Sequence, residues 1–293
     1  MQLTPMRASI ALVIGGCMWG IYWLPLTHLQ QQGLTGATAG IALYVACLVF
    51  LIPAFWRHRT VFITNYKALL FSGILTGAAF SLFTTSLAYT DVIRSILLFY
   101  LTPVWGVILG AIFLKERVTI ARGLVILCAF AGLYIILGGD GGLPVPRNIG
   151  DIFALTSGVL WAIGSLGLMR SKAVPTIPQI IAFLLGGLVI SLITHGAIGA
   201  PLAIEVNTQT VIAISTTALA YGCYALPMIW LTIAPAQLLS PARVGILLMS
   251  EVIIGATSAA LLSGEPFGLL ETYGTILITL AAFIEVKTTK VEA

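Results

Sequence analysis

The sequence predicts an all-α polytopic membrane protein, with ten transmembrane helices laid out as two inverted five-helix repeats. Three observations carry that expectation. Of 293 residues, 59% are apolar and only 8% are charged, where a soluble domain carries about 25% charged residues. Apolar stretches of roughly twenty residues recur, and at about 1.5 Å per residue each covers the ~30 Å of a bilayer's hydrocarbon. The fourth and ninth stretches also align with one another without a gap.

Taken in order, no Asp, Glu, Lys or Arg occurs from Ala8 to Trp56. That is too long for one crossing, and Gln30-Gln31-Gln32-Gly33 divides it. The opening MQLTPMR and its apolar run lack a cleavage site and read as a retained first helix. The expected spans are 8–28, 35–56, 67–88, 94–114 and 119–138, then 151–170, 176–196, 209–231, 242–263 and 268–286. A connector beginning GGDGGLPVP at Gly138 separates two units, 1–139 and 150–287. In the fourth span, Ser95 to Leu114 is uncharged and is broken midway by Thr102-Pro103, before Lys115-Glu116-Arg117. A proline there frees a backbone carbonyl, which hydrocarbon tolerates only beside another helix or a wet cavity.

Charge placement tests the span count. With the N-terminus inside, every one of the 14 Lys and Arg residues except Arg94 and Arg147 falls on the cytoplasmic side. Basic residues collect on the cytoplasmic side of membrane proteins, so both termini are expected there. The net charge of +4 follows loops, not a patch, and points to no nucleic acid.

Placing Glu116 over Glu265 sets Arg94 over Arg243, Thr102 over Glu251, Pro103 over Val252 and Gly106 over Gly255. Trp19, in CMWGIY, likewise sits over Trp161, in VLWAIG. Five spans per half is an odd number, so the halves have opposite orientations. Inverted repeats enclosing a midplane site characterise alternating-access transporters.

Some residues break the membrane's rules. Tryptophan belongs at headgroup depth, yet Trp19 and Trp161 fall mid-span, either packing helices or walling a cavity. Tyr22, Tyr100, Tyr221 and Tyr224 are candidates for the same space, with Ser81, although an interfacial belt also suits Tyr89 and Tyr100. Glu251 is the acid placed deep in a span. A charge at the bilayer centre costs about 2.5–3.5 kcal/mol on insertion scales, so it binds a substrate ammonium, carries a coupled proton, or is simply buried and protonated. Arg94 and Arg243 either snorkel or attract an anion. Ser72, Thr76, Phe80 and Thr84 share one helix face, whose hydroxyls are candidate path-lining groups. Gly16/Gly20, Gly73/Gly77 and Gly106/Gly110 are close-approach spacings. Pro103, Gly106 and Pro227 are the expected flexing points.

The four cysteines lie far apart without a CxxC, and His28, His58 and His195 do not cluster. No metal framework, cofactor motif or paired nucleophile and base is visible, so an enzyme is not expected. The expected partners are a small-molecule substrate and the lipid bilayer, with a monomer as the unit.

The Trp-Gly/Ala near the first helix of each half, the block LTPVWGVILGAIFLKERVTIARG and the five-plus-five layout resemble the drug/metabolite transporter superfamily, EamA-type. Within it the chain is similar to bacterial exporters of aromatic amino acids. The resemblance implies a ten-helix basket around a central cavity and efflux of amino acids across the inner membrane. It also marks Trp19, Pro103, Glu116 and Trp161 as family-pattern positions. Glu251-Val252 stands where the first half has Thr102-Pro103, which leaves open whether the two helices bend alike. The alternatives are an organic-anion or nucleotide-sugar exchanger, which would want basic residues at depth, and a membrane receptor or structural subunit without flux.

Overall fold

A computed structural model describes residues 4–34, 37–113, 120–138, 146–198, 207–239, 244, 247–262 and 268–289. All regular structure among them is helical. The helices are α1 (Pro5–Gly20), α2 (Trp23–Gln31), α3 (Ala37–Thr64), α4 (Tyr66–Leu69), α5 (Leu75–Ser86), α6 (Val92–Phe99), α7 (Thr102–Phe113) and α8 (Ile120–Gly138). The second half contributes α9 (Ile149–Arg170), α10 (Thr176–Ile198), α11 (Thr208–Ala236), α12 (Ser250–Leu262) and α13 (Leu269–Thr289). Among the described residues, six stretches are long and apolar enough to cross a membrane: Met6–Gln31, Ala37–Thr64, Tyr66–Ser86, Ile149–Arg170, Thr176–Ile198 and Thr208–Ala236. Exposed Val45, Val49, Ile52, Leu192, Ile193 and Ile276 present apolar side chains outward, as a lipid-facing surface requires. The chain is a multi-pass membrane protein.

The first span is not one helix. It stops at Gly20, turns through Ile21-Tyr22 and restarts at Trp23. Two side chains from the second half take up carbonyls at the break: Tyr224 Oη donates to Met18 O at 2.5 Å, and Ser258 Oγ donates to Gly20 O at 3.1 Å. The third span is likewise interrupted, by a π-helical turn over Leu70–Ile74.

The fourth span breaks one step earlier than the position of Pro103 suggests. Helix α6 ends at Phe99, Tyr100-Leu101 form the turn, and Pro103 falls in the first turn of α7, where its missing N–H costs nothing. The carbonyl that Pro103 cannot serve, Phe99 O, accepts from Thr102 Oγ1 at 2.6 Å. A neighbouring hydroxyl therefore satisfies it, not a wet cavity. Leu248-Met249 form an equivalent turn before α12, although no proline stands there. The two helices do break alike.

Packing follows a symmetrical scheme. Helix α1 packs on α11 and α12, α9 packs on α5 and on α6 and α7, α3 packs on α10, and α8 lies along α13. Exchanging the halves turns the α1 contacts into the α9 contacts and leaves the other two pairs unchanged. Two glycines show the correspondence at the level of residues. A Cβ on Gly16 would stand 3.4 Å from Leu248 Cα and 3.4 Å from Glu251 N. One on Gly158 would stand 2.8 Å from Phe99 O and 3.4 Å from Thr102 Oγ1. The alignment that sets Trp19 over Trp161 sets Gly16 over Gly158, and Leu248 and Glu251 fall over Phe99 and Thr102.

The Gly73/Gly77 pair performs as its spacing suggests. A Cβ on Gly77 would strike the Phe183 carbonyl and stand 2.6 Å from Gly187 N. Gly106 does not: it is exposed, with nothing within 4 Å of where a Cβ would lie.

Candidate functional site

The three breaks, at Ile21-Tyr22, Tyr100-Leu101 and Leu248-Met249, bring residues from both halves around one cavity. Trp19, Phe80, Phe83, Phe99, Trp161, Thr232, Leu248 and Glu251 line it, and its volume is about 30 Å³. Five of these eight are aromatic, and Glu251 is the one that ionises.

Trp19 ends α1 just before its break and is 8% exposed. Its Nε1 donates to Thr232 Oγ1 at 2.7 Å, and that hydroxyl donates in turn to Met228 O at 3.0 Å. The indole is therefore fixed by the opposite half. Phe80 stands edge-on to it with ring centroids 4.4 Å apart, backed by Phe183 at 5.5 Å. Trp161, half-buried on the uninterrupted α9, faces the cavity beside Phe99, with centroids 6.4 Å apart. Phe83 packs on Phe99 at 5.1 Å. The apolar wall is thus assembled from α1, α5, α6 and α9.

Glu251 begins α12 and is 5% exposed. Tyr100, in the turn of the fourth span, places its Oη 2.7 Å from Glu251 Oε2 and 2.7 Å from Leu248 O. This contact joins the broken segment of one half to its counterpart in the other. Tyr100 is 5% exposed, so the interfacial-belt reading does not hold for it.

Other expected contacts fall outside the lining. Tyr22 is buried behind the wall, against Trp19 and Phe80 at 5.4 and 5.2 Å. Ser81 is fully buried and shares a 2.7 Å hydrogen bond with Ser191. Tyr224 is committed to Met18 O, and Tyr221 Oη lies 2.7 Å from His28 Nδ1 at the end of α2. Pro227 lies on the exposed side of α11. Of the face shared by Ser72, Thr76, Phe80 and Thr84, only Phe80 reaches the cavity. Thr76 and Thr84 donate to carbonyls one turn back, Ser72 O at 2.6 Å and Phe80 O at 2.9 Å, and Ser72 reaches Gln179 Oε1 at 2.7 Å. A hydroxyl bonded to its own helix backbone has no proton left for a path. Arg243 and Glu116 lie outside the described residues.

Arg94 neither snorkels nor faces the cavity. It is buried against Asp151, with Nη2 2.5 Å from Oδ2 and Nε 3.4 Å from Oδ1. Thr90 Oγ1 at 2.7 Å and the Arg147 N–H at 2.9 Å complete the carboxylate's partners. Asp151, the first residue of the expected span 151–170, is 0% exposed. Its place in the first turn of a helix, beside Asn148, was the available signal, since a helix start favours a carboxylate. Phe83, Phe99, Thr232 and Leu248 were missed because nothing local distinguishes them from other apolar or small residues of their spans. Among the described residues no three His, Cys, Asp or Glu side chains gather as a metal would need.

No curated protein matches the chain. The crystal structure of a protein 17% identical to this chain is similar over 98% of this chain and 99% of its own, with a TM-score of 0.64. The fold of the whole chain is therefore one already seen in a solved structure. Residues 6–138, just under half of the chain and the part that supplies Trp19, Phe80, Phe99 and Tyr100, match the EamA-like transporter family.

Proposed function

We propose that this protein is an inner-membrane secondary transporter that exports amino acids, aromatic and other neutral ones, or similar small metabolites by alternating access. In this reading the units 1–139 and 150–287 are inverted repeats that rock about the cavity, and both termini are cytoplasmic. Substrate rests between Trp19 and Trp161, with Glu251 as its polar anchor. Pro103 and the breaks beside it serve as the flexing points, together with Pro227.

The observation that carries the proposal is the cavity itself: one acid and five rings, drawn from both halves, at the three places where helices are interrupted. Interrupted helices at the interface of two halves are where transporters bind their cargo. The exchange symmetry of the packing, with Gly16 and Gly158 in matching contacts, supports the repeat. Against an organic-anion exchanger stands the lining, where the ionising group is acidic.

The test is flux in proteoliposomes with Trp19→Ala and Trp161→Ala. Correctly inserted protein is expected to lose most transport of labelled aromatic amino acids. Unchanged flux in both variants would remove the cavity from the transport path. Glu251→Gln separates roles: transport that persists without pH dependence assigns the residue to proton coupling, whereas full activity at every pH leaves it with neither role.

A further inference from the structure

We propose that one rim of the helix bundle binds an anionic phospholipid, its phosphate held between Lys67 and Arg170 and an acyl chain laid over Leu70 and Phe71. This site is separate from the cavity and independent of the cargo assigned to it.

Packing gathers cations from both halves on this rim. Helix α9 runs antiparallel to the third span and in close contact with it. A Cβ on Gly164 would stand 2.9 Å from Thr76 N, and one on Gly167 would stand 3.2 Å from Ser72 Cα. Three residues along α9 thus correspond to about one turn back along the third span. The same register brings Arg170, the last residue of α9, level with Lys67 and Ala68. Gln179 fixes that level, because its Nε2 donates to Ser171 O at 3.4 Å while its Oε1 accepts from Ser72 Oγ at 2.7 Å. A small apolar cluster draws in the end of α3 and the α9–α10 connection. Leu69, Val174 and Ala182 are buried together there, with Val61, Phe62 and Ala68 packed against them. Arg59, Lys67 and Lys172 lie within two residues of members of that cluster, and Arg57 is one turn before Val61. All of these cations, and Arg170, are exposed.

No counter-charge accompanies them. The chain has no Asp or Glu before Asp91 and none between Asp151 and Glu205, and the rim is built from those two stretches. Asp91 and Asp151 stand at the far ends of the third span and of α9. Among the described residues the salt bridge is Arg94 with Asp151, which engages none of the rim cations. Like charges gathered this way repel one another, and an anion placed among them relieves the repulsion.

What lies beneath the charges favours a lipid over a soluble anion. Tyr66 and Lys67 open the third span, with Leu70 and Phe71 about one turn further in. Leu70 is 63% exposed and Phe71 47%, so an apolar strip runs inward from the cations. Trp56, exposed beside Arg57, marks headgroup depth on α3, where tryptophan is enriched. Lys67 Nζ lies 5.9 Å from the Tyr66 ring centroid, which keeps that charge at the same depth. A free phosphate would meet the cations and leave the strip bare. A phospholipid covers both, and the guanidinium of Arg170 suits a phosphate's paired oxygens.

The experiment titrates the purified full chain in a neutral detergent with phosphatidylglycerol, or with phosphatidylcholine of the same chains, and counts bound lipid by native mass spectrometry. Wild-type protein is expected to bind phosphatidylglycerol at least tenfold more tightly. Lys67→Gln and Arg170→Gln are each expected to weaken that binding about fivefold and to leave phosphatidylcholine unchanged, while Lys67→Arg keeps it. Arg7→Gln, which removes an exposed cation at the start of α1, is expected to have no effect. Equal binding of the two lipids by wild-type protein would overturn the proposal, and that comparison needs no variant. A loss in Arg7→Gln as large as in Lys67→Gln would overturn it too, by assigning the attraction to basic surface in general. Displacement of phosphatidylglycerol by an equal concentration of glycerol 3-phosphate would make the rim a free-phosphate site and remove the lipid.

Discussion

Arg94 and Asp151 form a buried ion pair that ties the start of α6 to the start of α9, with Nη2 2.5 Å from Oδ2. Asp151 also accepts from Thr90 and from the Arg147 backbone, and its own N–H donates to Asn148 Oδ1 at 2.9 Å. The two halves of the chain are thus joined away from the cavity by a cluster with every oxygen occupied.

Removing one partner leaves the other as an uncompensated buried charge, which costs about 3–5 kcal/mol. Asp151→Ala is expected to lower the thermal midpoint of detergent-solubilised protein sharply. The double change Arg94→Met, Asp151→Leu should recover most of the loss, because it removes both charges. A double variant no more stable than Asp151→Ala would show that the pair contributes more than mutual neutralisation.

Trp19 depends on Thr232 for its single polar bond. Thr232→Val keeps the shape but strands the indole N–H, and an unsatisfied buried donor costs about 1–3 kcal/mol. Transport is expected to fall while Thr232→Ser, which keeps the hydroxyl, stays near wild type. Equal loss in both variants, measured as initial flux, would assign the effect to the methyl group.

Gly77 and Gly106 differ in a way their shared spacing motif conceals. Gly77→Ala forces α5 away from the backbone of α10, where overpacking costs typically 1–3 kcal/mol. Gly106→Ala enters open space and should be neutral or slightly stabilising, since alanine is the better helix former. Comparing aggregation temperatures of the two variants by size-exclusion chromatography checks the contrast.

The orientation is tested by fusions. A fluorescent reporter at the C-terminus should mature in the cytoplasm, whereas alkaline phosphatase inserted between Gly142 and Leu143 should be active outside. The reverse pattern would overturn the charge-based topology.

Much of the candidate site could be read along the chain. Trp19, Trp161 and Glu251 stood out because a membrane makes their depth expensive or unusual, and all three line the cavity. Tyr22, Ser81, Tyr221 and Tyr224 were equally plausible by type and depth, yet they are buried behind the wall or committed elsewhere. Helical spacing gives a residue's height and face, but which neighbour covers that face depends on helices far along the chain.

What the sequence by itself determined is what a solvent dictates locally: helices, because lipid offers no partner for free backbone groups. It also set where close approach is possible, at Gly20 and Gly77. The tertiary structure alone decided that Tyr100 meets Glu251 across 151 positions, that Trp19 meets Thr232 across 213, and that Arg94 meets Asp151 and not the lipid headgroups. Those pairings arise from how two halves dock, and docking is set by the summed fit of many small contacts that no single stretch of residues encodes.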